Sequence, residues 1–164
     1  MENQNFKNSL AFTLKWEGGY SNDSQDPGKE TNFGISKAAN PDIDVKTLDK
    51  QKTSELYWNR YWMPSGAYYH PWPLCAAVFD AAVHHGPATA IKLLNTALQL
   101  FSKPSPETAA SKICDLRLDL FKSIIERKPT MRKYYRGWKN RIADLRVLIN
   151  TPVENPIVKK KKIG

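Results

Sequence analysis

The sequence predicts an α+β, helix-dominated domain with a small turn-rich β-ribbon segment after the first helix. Three observations carry this. Apolar residues recur at helical spacing along most of the chain, and the strand signal is weak throughout. Gly, Asn, Asp, Ser and Pro crowd into the stretch from Gly18 to Ile35.

Phe6, Leu10 and Leu14 fall at i, i+4 and i+8 and mark a first helix that Gly18-Gly19 ends. The segment after it reads as tight turns and short ribbon. Thr53, Leu56, Tyr57, Arg60 and Tyr61 fit a second amphipathic helix, closed by Pro64. A third runs from about Leu74 to His85 and stops at Gly86. Pro87 then opens a fourth, whose Ile91, Leu94, Leu98 and Phe101 share a face. Ser105-Pro106 is a cap followed by a proline at the first helical position, and Ala109, Ile113, Leu116, Leu120 and Ile124 continue the stripe. Tyr135, Trp138, Ile142, Leu145 and Ile149 define the last helix, ended by Pro152.

With 164 residues the chain is expected to form one domain. A chain of this length buries roughly 68–70% of its unfolded surface and needs no disulfide or metal staple. The longest apolar run, Leu74 to Phe79, is far short of the ~18 residues of a membrane span. The N-terminus carries no basic and apolar leader, so a protein made in the cytoplasm without a signal peptide is expected. Cys75 and Cys114 are expected to be free thiols. The three histidines are His70, His84 and His85, without HExxH spacing, and neighbours on a helix point about 100° apart. No metal and no cofactor are expected.

Charge is uneven. The net formal charge is +9, yet residues 1–111 hold 10 basic and 11 acidic side chains, while residues 112–164 hold 15 and 5. Such a basic third draws in polyanions: nucleic acid, anionic lipid or anionic cell-wall polymer. No helix-turn-helix, zinc-finger or RNA-binding signature is present, so nucleic acid is not the expected partner.

Glu17 stands out on physical grounds. Leu10, Leu14 and Glu17 lie at i, i+4 and i+7, which places the carboxyl on the buried stripe at the last turn of the helix. Withdrawal from water and the negative end of the helix dipole both disfavour an ionised carboxyl, the setting of a general acid. Asp26 and Thr31 follow in the turn-rich segment. A carboxylic acid on one side, with a carboxylate and a hydroxyl on the other, is equipment for splitting a glycosidic bond. Asp26 in Asp-Pro-Gly also has the makings of a plain turn former, and Thr31 of a strand residue.

Residues 17–35 read Glu-Gly-Gly-Tyr-Ser-Asn-Asp-Ser-Gln-Asp-Pro-Gly-Lys-Glu-Thr-Asn-Phe-Gly-Ile. This resembles the signature of the prophage-type N-acetylmuramidases of glycoside hydrolase family 108, an E-G-G-Y block followed by N-D, D-P-G-G and T-x-x-G-I. Lys29 stands where the second glycine of D-P-G-G is usual. Tyr57 with Tyr61-Trp62 is similar to the family's Y-x(3)-Y-W. Phe79-Asp80-Ala81-Ala82-Val83 with Gly86 is similar to its F-D-x-A-V-x-x-G, and Gly137-Trp138 with Arg141 to its G-W-x-x-R. The usual D-G-x-x-G-P-x-T loop is replaced by the shorter run from Phe101 to Pro106.

The resemblance implies a lysozyme-like fold and cleavage of the β-1,4 bond between N-acetylmuramic acid and N-acetylglucosamine in peptidoglycan. It implies one domain over residues 1–152, with the catalytic part in 1–70, a peptidoglycan-binding-like helical part in 71–152, and a basic tail in 153–164. Glu17 becomes the catalytic acid, and the order Glu-Asp-Thr, similar to that of phage-type lysozymes, places Asp26 and Thr31 opposite it. Asp23 is the other carboxylate in that segment. Tyr20 and Asn22 are taken as substrate-binding. It further implies a monomer that meets glycan strands in the periplasm or cell wall after lysis or export, through a holin or a dedicated route.

Seven of the eighteen aromatic residues lie between 57 and 72. Tyr57 and Tyr61 sit on the helix stripe and are read as core. Tyr68, Tyr69 and Trp72, in a Gly/Pro-flanked loop, are candidates for stacking on sugars. Asp80, in an otherwise apolar helix, needs a partner, and Arg141 is read as that structural partner. Two rival functions stay open: a lytic transglycosylase acting on the same bond, and a non-catalytic wall-binding module.

Overall fold

The structure is a computed structural model that describes residues 3–18, 21–22 (backbone only), 30–38, 40–100 and 102–152. Helix α1 spans Gln4–Glu17. Asn3 caps it by accepting the Phe6 amide at 2.9 Å, and Gly18, at φ 75°, ends it. A three-stranded antiparallel ribbon follows: β1 Ser21–Asn22, β2 Glu30–Asn32 and β3 Ile35–Ser36, in spatial order 1-2-3. Thr31 faces Ser21 on one side and Ser36 on the other. Helices α2 Lys50–Tyr57, α3 Leu74–His85, α4 Pro87–Gln99, α5 Pro106–Arg127 and α6 Tyr135–Asn150 complete the domain. The architecture is therefore the expected helix-dominated α+β arrangement, with its small ribbon after the first helix.

The core is built around α3, in which every residue from Leu74 to Ala82 is buried. A helix apolar on all sides belongs in the centre, and α1, α4, α5 and α6 pack around it. Phe6 of α1, Trp62 and Phe79 of α3 meet edge to face at 5.3–5.8 Å. Gly86, at φ 83°, serves both as the end of α3 and as the residue before Pro87 of α4.

Three stripes differ from the sequence reading. After Tyr57 the chain widens into a π-turn, Trp58–Trp62, so the buried face steps from Tyr57 to Trp62 rather than to Tyr61. On α4 the buried line is Ala90, Leu94 and Ala97, while Ile91 faces solvent at 39% exposure; Phe101 lies outside the described residues. On α5 the buried line is Ala109, Ile113, Arg117, Phe121 and Ile125, a strict i+4 series that includes an arginine. Small alanines let α4 approach its neighbours closely, so the larger apolar residues beside them lie on the flanks.

Cys75 and Cys114 are free and buried, and burial raises their thiols to about 12 and about 11. Among the described residues no helix is long and apolar enough to cross a membrane.

Candidate active site

The last turn of α1 carries Glu17 to the junction of ribbon and helices, where its side chain keeps 21% of its surface exposed. From the ribbon side it is held by the turn between β2 and β3. Phe33 and Gly34 both have positive φ, 49° and 73°, as a two-residue hairpin turn requires. The turn presses so closely on the helix end that a Cβ on Gly34 would stand 2.6 Å from Glu17 Cβ and 2.7 Å from the Tyr57 hydroxyl. Tyr57 Oη in turn donates to the Phe33 carbonyl at 2.8 Å. Burial, then the charge of Glu17, pushes the Tyr57 hydroxyl well above the ordinary phenol range, so it stays a donor.

From the helical side Glu17 meets a guanidinium. Arg141 Nη1 donates to Glu17 Oε1 at 2.6 Å. The same group donates through Nη2 and Nε to Asp80 Oδ1 at 2.8 and 3.1 Å. Asp80 is fully buried; its Oδ2 accepts from Arg117 Nη1 at 2.7 Å, and Thr13 Oγ1 donates to Oδ1 at 3.3 Å. Burial alone pushes this carboxyl up, but Arg117 and then Arg141 outweigh it and hold it well below the usual carboxylate range. Arg117 also reaches the end of α3. Its Nε donates to His85 Nε2 at 3.3 Å, and its Nη2 lies 3.2 Å from His84 Nδ1. A guanidinium has no acceptor, so both ring nitrogens accept and both imidazoles are neutral. Burial, then Arg117, lowers each to about 3.

These facts alter several expectations. Glu17 is half-buried at the last turn of α1, and its carboxyl is ion-paired with Arg141. The Asp80–Arg141 pair exists, but it touches Glu17 and is not remote from the site. Tyr57 is core, as read, yet its hydroxyl supports the hairpin lying on Glu17. His84 and His85 do not diverge: their rings stack at 4.5 Å because both turn towards one flat guanidinium. Arg117 was not singled out in the sequence; its signal was a cation in the strict i+4 apolar series of α5.

Of the other predicted site residues, Thr31 lies in β2, and no hydrogen bond between it and Glu17 is present among the described residues. Tyr20, Asp23 and Asp26 lie outside the described residues, as does the side chain of Asn22. Tyr68 and Tyr69 are exposed, 47% and 74%; Tyr68 packs edge-on to Trp58, which packs on Phe6. Phe6 is at the far end of α1, roughly 16 Å along the axis from Glu17. Trp72 lines a cavity of about 350 Å³ with Ile149, Asn150 and Pro152 at the end of α6. Since Arg141 meets Glu17 and Asp144 meets Lys15, α6 runs antiparallel to α1, and that cavity also lies away from Glu17. The structure does not bring these three aromatics together with Glu17.

Glu17, Gly34, Tyr57 and Asp80 all fall in a stretch, residues 10–86, that matches the family model described as glycosyl hydrolase 108. Arg117 and Arg141 come from helices beyond that matched stretch. The fold as a whole is similar to the solved structure of Brucella abortus SagA, with a TM-score of 0.73 at 25% identity, over 88% of this chain and 92% of that one. Among curated proteins, none matches the chain.

Proposed function

We propose that this protein is a hydrolase of the glycosyl hydrolase 108 kind, a muramidase that hydrolyses the β-1,4 bond between N-acetylmuramic acid and N-acetylglucosamine in peptidoglycan, with Glu17 as proton donor. The observation that supports it most is the division between the two carboxylates on Arg141. Asp80 has no exposed surface and cannot touch a glycan, whereas Glu17 keeps a fifth of its side chain open at the edge of the ribbon. Glu17 protonates the leaving glycosidic oxygen; Asp26, steadied by Thr31, activates a water on the opposite face of the sugar. Tyr20 and Asn22, just after Glu17 in the chain, contact the sugar beside it.

The basic C-terminal third supplies attraction to anionic wall polymer. Arg117 and Arg141 are engaged inside the protein, but Arg127, Lys128, Arg132, Lys133, Arg136 and Lys139 are all exposed. That surface adds reach to the wall without entering the chemistry.

The test is mass analysis of muropeptides released from purified wall, before and after Glu17→Gln. Hydrolysis leaves reducing N-acetylmuramic acid ends, and the substitution is expected to lower turnover by about 10²-fold or more with an unchanged circular dichroism spectrum. Products dominated by 1,6-anhydro ends would make the enzyme a transglycosylase. Undiminished clearing by folded Glu17→Gln would remove Glu17 from the role.

A further inference from the structure

We propose that Arg141, fixed in place by Asp80, is the positioning residue of the Glu17 acid: it aims the carboxyl and receives the negative charge left there after proton donation. This rests on the reading of Glu17 given above. Three features carry it.

The first is geometry. A guanidinium is planar and presents its donors in a rigid fork. Here Nε and Nη2 are taken by Asp80 and Nη1 by Glu17, so one flat group ties the two carboxyls together. Turning Arg141 to release Glu17 would cost its contacts with Asp80.

The second is that Asp80 itself does not move. Donors reach it from Thr13 on α1, Arg117 on α5 and Arg141 on α6, and its side chain is wholly buried. The aim of Arg141 is thereby referred to the central helix and not to the surface.

The third is charge. One buried aspartate needs one buried cation, and two arginines face it here. His84 and His85 accept from Arg117 as neutral rings and bring no negative charge. One positive charge is left over, on a group that is 8% exposed and points at Glu17. An uncompensated buried cation is costly. It is matched when Glu17 carries its negative charge, which is the state that follows proton donation. A structural ion pair has no use for the second arginine, while a catalytic carboxyl that must end negative does.

The experiment compares Arg141→Ala and Arg141→Lys with the intact protein on soluble, un-cross-linked glycan strands. In Arg141→Ala, kcat is expected to fall on the order of 100-fold, the scale of misplacing a reacting group by about 1 Å, with KM changed little. Arg141→Lys keeps the charge but lacks the fork, and is expected to lose less. Free guanidinium chloride, at concentrations that leave the fold intact, is expected to restore part of the rate to Arg141→Ala and none to Glu17→Gln. A folded Arg141→Ala with wild-type kcat overturns the proposal, as does a loss confined to KM or a lost kcat that guanidinium does not lift. If the alanine variant does not fold, an unchanged kcat in Arg141→Lys overturns it. Activity retained by Glu17→Gln would instead fault the reading of Glu17, whatever Arg141 does.

Discussion

The ribbon and the helical bundle hold Glu17 from opposite sides and by opposite means. On the ribbon side the contact is steric and uncharged, and it depends on an absent side chain: Gly34 lies where no Cβ fits. On the bundle side the contact is ionic and depends on a complete, fully used side chain, the fork of Arg141. The first fixes where Cβ and Cγ of Glu17 stand; the second fixes where the carboxyl points. A carboxyl held at one point and in one direction needs both, because packing has no preference among directions of a carboxylate, and a lone ion pair leaves the stem free to swing.

The comparison is broken most severely from the ribbon side. Gly34→Ala puts a methyl into Glu17 and the Tyr57 hydroxyl, and it sets a side chain at φ 73°, which costs about 1–2 kcal/mol before any clash. Wall-clearing activity is expected to drop on the order of 10²-fold with a lowered melting temperature. Near-normal turnover in this variant would mean that the turn does not set the position of Glu17.

The bundle side is probed by acid. His84 and His85 take up protons at about 3 when folded and near 6.5 when unfolded. Between those values the unfolded chain binds more protons, so stability falls as pH is lowered from about 6.5 towards 3. Asp80, held below its ordinary range, adds a loss of the same sign below about 4, where the unfolded carboxyl binds a proton and the folded one does not. Thermal midpoints measured across pH 7 to 4 should decline, and His84→Gln with His85→Gln should flatten that decline. An unchanged slope in the double variant would show that these rings do not titrate as described.

The smallest effect is expected from Tyr57→Phe, which sharpens the ribbon side. It removes only the hydroxyl that donates to the Phe33 carbonyl, worth about 1 kcal/mol, and leaves the ring in the core. A modest fall in melting temperature with a several-fold loss of kcat is expected. Equal stability and activity would show that the hairpin tip needs no tether.

How far each side was legible in the sequence follows from the same contrast. The ribbon side is local: Glu17, Gly34 and the T-N-F-G-I run lie within one short stretch, and turn chemistry there is specified by residue type. The bundle side is assembled from α1, α3, α5 and α6, whose partners are up to 124 residues apart. Asp80 announced itself as an acid in an apolar helix, and Arg141 was named for it, but no spacing reveals that a third group shares the guanidinium. Arg117 was hidden by a choice of stripe. Ile113, Leu116, Leu120 and Ile124 satisfy helical periodicity as well as the series that is buried, and only packing against α3 decides between them. Tyr61 was read as the next fully buried position for a related reason: the period changes inside the helix, and Trp62 takes that place.

That change of period has a consequence for the length of the chain. With the π-turn at Trp58–Trp62, Tyr57 supports the hairpin while Trp62 packs on Phe6 and Phe79. The two tasks are separated by one residue more than an ordinary helical turn supplies. Each residue advances an α-helix by about 100°, so a helix of regular pitch would bring Tyr61 to the inner face and carry Trp62 off it. The extra residue acts as a spacer that lets a single helix serve the ribbon beside Glu17 at one end and the central aromatic cluster at the other. The number of residues between Tyr57 and Trp62 is as much a part of the design as their identities.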